Sequence, residues 1–151
     1  MTAPLLVLGV GNPSRGDDAL GPLFVERLER AALPGVEVLT DFQLQIEHAM
    51  DLIGRARVVF VDAALERGVR LERVEPRADA AAQTHALSPA AVLEVFRQVV
   101  GQPPEAFVLA IGGESFELGE GLSATAASNL EEALGVFAQS MSPPVHQTDL
   151  L

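Results

Sequence analysis

Apolar residues along this chain alternate between two kinds of spacing. Leu5-Leu6-Val7-Leu8, running on to Val10, is an unbroken apolar run of the length of a buried strand. Leu20, Leu23, Phe24, Leu28 and Ala31, with Arg27 among them, then recur at helical spacing until Leu33-Pro34-Gly35 stops the pattern. Residues 36–40 set Val36, Val38 and Thr40 against Glu37 and Leu39, which predicts a second strand. Ile46, Ala49, Met50 and Ile53 predict a short amphipathic helix closed by Gly54. Val58-Val59-Phe60-Val61 is apolar on both faces and predicts a central strand ending at Asp62. Residues 69–75 place Val69, Leu71 and Val74 among charges, the pattern of an edge strand with one wet face. Residues 77–84 carry little pattern and read as a loop.

Ser88-Pro89 supplies an N-cap and a first-turn proline for a helix with the stripe Val92, Val95, Phe96, Val99 and Val100. Residues 106–111 form a last strand, ended by Gly112-Gly113. Ser123 is placed to cap a final helix whose core face is Leu130, Leu134, Phe137 and Met141. The order is β-α-β-α-β-β-α-β-α. Such alternation predicts an α/β fold, a single-domain three-layer α/β/α sandwich with a mostly parallel, twisted sheet of about five strands. Residues 1–141 are expected to form that domain, with 142–151 a flexible tail opened by Ser142-Pro143-Pro144.

Composition narrows the partners. The chain has 151 residues, 48% of them hydrophobic, which suits one domain with a single core. No apolar run reaches the ~18 residues of a membrane span, and Met1-Thr2-Ala3-Pro4 lacks a basic leader segment. A cytoplasmic protein is expected. Without cysteine there is no disulfide, thiolate nucleophile or cysteine metal site. The net charge of −11, with ten scattered arginines and no lysine, argues against nucleic acid and membrane surfaces. A cationic or metal-bearing partner fits better, although acidity for solubility alone explains the surface as well.

In open parallel sheets, ligands bind outside the carboxyl ends of the strands. The first strand delivers Asn12, Asp17 and Asp18 there; the second delivers Asp41 and Gln43. Asp62 follows from the third, His85 from the loop before Ser88, and Gly112, Gly113 and Glu114 from the last. Carboxylates and a neutral imidazole are ligands for a divalent transition metal. Each has a plainer reading. Asp18 alone would serve equally as favourable charge at a helix N-terminus. Asp17 reads as a cap or turn residue, His48 as structural or exposed, and His146 as a solvated tail residue. Asp62 is harder to dismiss, because a carboxylate closing an apolar strand needs a partner. Gly9-Val10-Gly11 begins a dinucleotide fingerprint, but Ser14 stands where its third glycine belongs, and the acidic pair would repel a pyrophosphate. A phosphate-binding loop and a Gly-x-Ser-x-Gly elbow are both absent.

The segment Gly9-Val-Gly-Asn-Pro-Ser-Arg-Gly-Asp17-Asp18-Ala-Leu-Gly21 resembles the opening signature of the nickel–iron hydrogenase maturation endopeptidases. Val59-Phe-Val-Asp62-Ala resembles the family's strand ending in aspartate. His85 stands before Val92-Leu93 at the family's spacing, and Ser115, Gly119 and Gly121-Leu122-Ser123 resemble its segment before the last helix. These blocks run from residue 5 to about 138, in order.

The resemblance implies a peptidase, aspartic-type or metal-dependent, that removes the C-terminal extension of the nickel-loaded [NiFe]-hydrogenase large-subunit precursor and so completes maturation. It implies that Asp18, Asp62 and His85 contact nickel supplied by that precursor; the motifs argue for no nucleotide cofactor, and of the oligomeric states, which the sequence leaves open, a monomer is favoured. Many members carry glutamate at the position of Asp18 and an Asp-Gly-Gly-Thr-like stretch where this chain has Asp41-Phe-Gln43-Leu-Gln-Ile-Glu-His48. The latter reads as a change in substrate specificity. Asn12, Asp41, Gln43, Gly112 and Gly113 are the expected substrate-binding residues.

Two mechanisms remain open. Nickel held by Asp18, Asp62 and His85 acts as a Lewis acid. Or it anchors the substrate while Asp17 or Asp18 is the general base and backbone amides near Gly11 and Gly113 stabilise the oxyanion. The rival readings are a non-catalytic nickel-binding maturation chaperone and, more distantly, a nucleotide-binding α/β enzyme.

Overall fold

A computed structural model describes residues 2–79 and 86–141. Strands β1 (Leu5–Val10), β2 (Val36–Asp41), β3 (Arg57–Ala64), β4 (Val69–Arg73) and β5 (Glu105–Gly112) form one sheet in the order β2-β1-β3-β5-β4. The first four in that order are mutually parallel, and β4 runs antiparallel to β5 at the edge. The helices are α1 (Leu20–Ala31), α2 (Pro89–Val99) and α3 (Ala124–Ser140), with two 3₁₀ helices, Gly16–Ala19 and Ile46–Leu52. No described helix is long and apolar enough to cross a membrane.

The apolar runs explain the layering. β1 is buried at all six positions, so its alternate side chains feed two cores. Leu5 and Val7 join Phe24, Leu28, Leu134 and Phe137 of α1 and α3 on one face. Leu6 and Leu8 join Leu52, Val92, Leu93 and Phe96 on the other. Phe24 and Phe137 meet edge to face, with ring centroids 5.6 Å apart. The three-layer α/β/α arrangement and the central place of β3 follow the sequence pattern.

Three local expectations change. β3 does not stop at Asp62: Asp62, Ala63 and Ala64 stay in register with Ala110, Ile111 and Gly112. The segment after β2 winds as a 3₁₀ helix that buries His48, Ala49 and Leu52 and leaves Ile46, Met50 and Ile53 exposed. In α2 the buried face is Ala91, Val92, Leu93 and Phe96, while Val99 and Val100 are exposed past the end of the sheet.

Candidate active site at the carboxyl rim of the sheet

The turn that leaves β1 is built by close backbone packing. A Cβ on Gly11, at φ +146°, would stand 2.0 Å from the Asp18 carbonyl oxygen. A Cβ on Gly21 would press on the Val10 and Val61 backbones at 2.4 and 2.7 Å. The glycines therefore seat the start of α1 on β1 and β3. The close approach they permit is internal to the fold.

The adjacent carboxylates diverge. Asp18 is half-buried, and its Oδ2 accepts the Asn12 amide at 2.7 Å. It does not cap a helix: neither the first 3₁₀ helix nor α1 has a side-chain N-cap bond. Asn12 spends its Oδ1 on the Ser14 amide at 2.9 Å, a local turn that leaves its backbone N–H to hold Asp18.

Asp17 is fully buried and spans the fold. Its Oδ2 accepts from the amides of Glu114 (2.7 Å) and Ser115 (3.1 Å) and from the Ser123 hydroxyl (2.7 Å), while Oδ1 accepts the Ser123 amide (2.8 Å). Burial alone would raise its carboxyl. The amides of Glu114, Ser123 and Ser115, with the Ser123 hydroxyl, outweigh that and hold it below the usual carboxylate value. A carboxylate so buried and so bonded is held ionised and away from water. The structure gives Asp17 a bracing role, wider than the turn expected of it and distinct from general-base work.

Asp62 behaves in the opposite way. Its side chain reaches solvent at the rim, yet the strand ends around it displace part of its hydration. That desolvation pushes its carboxyl up to about 6. The Ala63 amide pulls the other way, and the negative charge of Asp18 pushes up further. The first 3₁₀ helix, which carries Asp18, packs on β3, which carries Asp62, and this brings the two carboxylates near one another. Two carboxylates held so, one short of water, form a site that a cation would relieve.

Asp41 ends β2. Its backbone carbonyl accepts the Gly11 amide at 3.0 Å, joining it to the same turn. Its Oδ1 accepts the Phe42 amide, and its Oδ2 lies 3.2 Å from Nε2 of His48. His48 is buried, and its Nδ1 accepts the Gln45 amide at 2.8 Å, which places the ring proton on Nε2, facing Asp41. This pair was not foreseen. The signal available was a histidine seven residues after a strand-ending aspartate. Gln43 is exposed beside them.

The Gly11 and Gly113 amides, expected as oxyanion donors, are both spent, on the Asp41 and Ala64 carbonyls. The Gly112 amide donates to Gly68. Gly112 and Gly113 nonetheless line a cavity of about 590 Å³ with Leu65, Arg67, Glu114 and Asn129, so they border the rim without offering donors to it.

His85 lies outside the described residues, as do residues 142–151. Its described flank is anchored: the Leu87 amide donates to the Leu44 carbonyl at 3.0 Å, and Ser88 is bonded to Asp79. Among the described residues, no three His, Asp or Glu side chains form a metal-binding group. The expected triad is thus represented by its two carboxylates.

Comparison with known proteins gives no matching family model and no matching curated protein. Solved structures do match. The hydrogenase maturating endopeptidase HybD from E. coli aligns at TM-score 0.71 and 25% identity, over 91% of each chain. The [NiFe] hydrogenase maturation protease HycI from Thermococcus kodakarensis KOD1 aligns at 0.70 and 26%, again over 91% of each chain. An endopeptidase from Escherichia coli aligns at 0.70 and 28%, over 94% of each.

Proposed function

We propose, on the premise that this chain is a member of the [NiFe]-hydrogenase maturation protease family, that it cuts the C-terminal extension from a hydrogenase large-subunit precursor. The observation that carries this reading is the Asp18–Asp62 pair at the carboxyl rim of a sheet shared with those endopeptidases. A cation-seeking carboxylate pair beside a turn that also holds Asp41 suits a substrate arriving with bound nickel. In this reading nickel is cargo of the precursor, and Asp18, Asp62 and His85 meet it there. Carboxylate oxygens and an imidazole nitrogen are donors that nickel accepts.

The division of labour within the site follows from the environments. The Asn12 amide fixes the orientation of Asp18. Desolvation raises the Asp62 carboxyl to about 6 while no metal is bound, and meeting nickel would favour its ionised form as a ligand. Nickel bound to the substrate would supply Lewis acidity and anchorage. The cytoplasmic, monomeric state expected from the sequence belongs to the same proposal.

The test is incubation with nickel-loaded and nickel-free precursor, followed by mass spectrometry. Loss of a C-terminal peptide from the loaded form alone supports the reading. Transfer of nickel without mass loss identifies a carrier, and equal cutting of both forms removes nickel from recognition.

A further inference from the structure

Strand β2 is one edge of the sheet, and among the described residues nothing pairs with its outer side. Backbone groups of a strand point alternately to its two sides. The carbonyls of Gly35 and Asp41 face β1, where they accept the Leu5 and Gly11 amides. Val38 and Thr40, on the alternate phase, therefore turn both N–H and C=O outward. The Val36 amide, on that same phase, donates to Leu33. The strand carries no proline and no break in its register with β1, so its backbone groups stay available along the edge even though Glu37 and Asp41 are charged.

Two cavities follow this open side. One of about 470 Å³ lies between α1 and β2, bordered by Pro22, Glu26, Glu29, Val38 and Thr40. A second of about 260 Å³ shares Pro22 and Thr40 with it and continues past Asp41 and Phe42 to Gly11. Gly11 is packed on Asp18; a Cβ there would stand 3.3 Å from Asp18 Oδ1. The groove thus runs from the open edge to Gly11, which packs on Asp18.

We infer that the β2 edge receives the segment of the substrate next to the scissile bond as an added, extended strand, with Val38 and Thr40 as its hydrogen-bonding partners. The inference rests on the peptidase reading above and adds how the peptide is held. Added-strand binding takes its affinity from main-chain bonds and its selectivity from pockets for alternate side chains. The Glu26, Glu29 and Asp41 carboxylates, of which Glu26 is partly offset by Arg30, favour a segment carrying a cationic side chain. Phe42, 64% exposed where β2 ends, offers an apolar stop beside the site. A six-residue strand spans about 20 Å, enough to hold several residues of peptide.

Residue-resolved amide exchange of the protein, alone and with excess nickel-loaded large-subunit precursor, tests this, with processing followed in parallel. The Val38 and Thr40 amides should exchange rapidly in the free protein and slow at least tenfold with precursor. Glu37 and Leu39, already bonded to β1, should change little. Thr40→Pro removes one outward donor and leaves the β1 ladder intact, so KM should rise at least tenfold at nearly unchanged kcat. Processing without protection at Val38 and Thr40 overturns the added strand and leaves the peptidase reading standing. Neither processing nor protection overturns both. Protection in the free protein that grows with its concentration assigns the edge to a second copy and overturns the proposal. If Thr40→Pro fails to fold, the exchange result decides.

Discussion

Asp17 and Ser123, 106 residues apart in sequence, are joined by two hydrogen bonds, one to the serine amide and one to its hydroxyl. The same hydroxyl accepts the Ala126 amide and so caps α3. One buried carboxylate therefore ties the turn after β1 to the loop after β5 and to the first turn of the last helix. Reciprocal backbone bonds, Asp17 N–H to Ser115 and Gly119 N–H to Ser14, close the same seam.

Removing this brace leaves several buried donors unsatisfied. Asp17→Ala should cost roughly 3 kcal/mol or more, since bonds to a charged acceptor contribute about 1.5–3 kcal/mol each and do not add fully. Urea unfolding measures it. The pH dependence has a definite sign. The folded carboxyl is held below its unfolded value, so its contribution is present above about pH 4 and is lost as pH falls through the folded value. Wild type should lose more stability on acidification below pH 4 than Asp17→Ala does.

Asp62 should show the reverse. Its folded carboxyl is raised from 3.8 to about 6, so ionisation is less favourable in the folded state. The penalty is absent below about pH 4, grows between 4 and 6, and is complete above 6. Asp62→Asn should therefore melt at a higher temperature than wild type at pH 8 and lose that advantage near pH 4, while processing falls at least a hundredfold. Equal melting temperatures at both pH values would contradict the assigned environment.

Gly11→Ala tests the internal packing of the turn. Its Cβ has no space against the Asp18 carbonyl, and the positive φ adds strain. A loss of roughly 2 kcal/mol or more is expected in chemical denaturation. Processing at a temperature where the variant is folded should also fall, because relief of the clash displaces Asp18.

The strands and the three long helices were legible because burial leaves apolar runs or a 2- or 3.6-residue period in the sequence, and both N-cap serines because caps have their own residue signal. Three features were not, each for a physical reason. In Ile46–Leu52 the buried residues are His48, Ala49 and Leu52, a choice made by packing against α2 and not by the spacing of the apolar residues. The extension of β3 past Asp62 depends on pairing with β5, a partner some fifty residues away. The separation of Asp17 from Asp18 was legible only in part: the turn role was visible, the brace to Ser123 was not, because it is made by tertiary contact.

The burial pattern of Ile46–Leu52 can be checked by substitution. Ile46→Asn, at a position 62% exposed, should change stability by less than about 0.5 kcal/mol. Leu52→Ala, at a fully buried position, should cost about 2–5 kcal/mol. The reverse ranking would put Ile46 back on the buried face that the sequence pattern predicts.

The central claim is that the Asp18–Asp62 rim hydrolyses the precursor of a hydrogenase large subunit. The most direct measurement is the intact mass of nickel-loaded precursor after incubation with wild type, Asp18→Ala and Asp62→Ala, each confirmed as folded. The account predicts a C-terminal mass loss with wild type and none with either variant. An unchanged mass with wild type, or full processing by both variants, would contradict it.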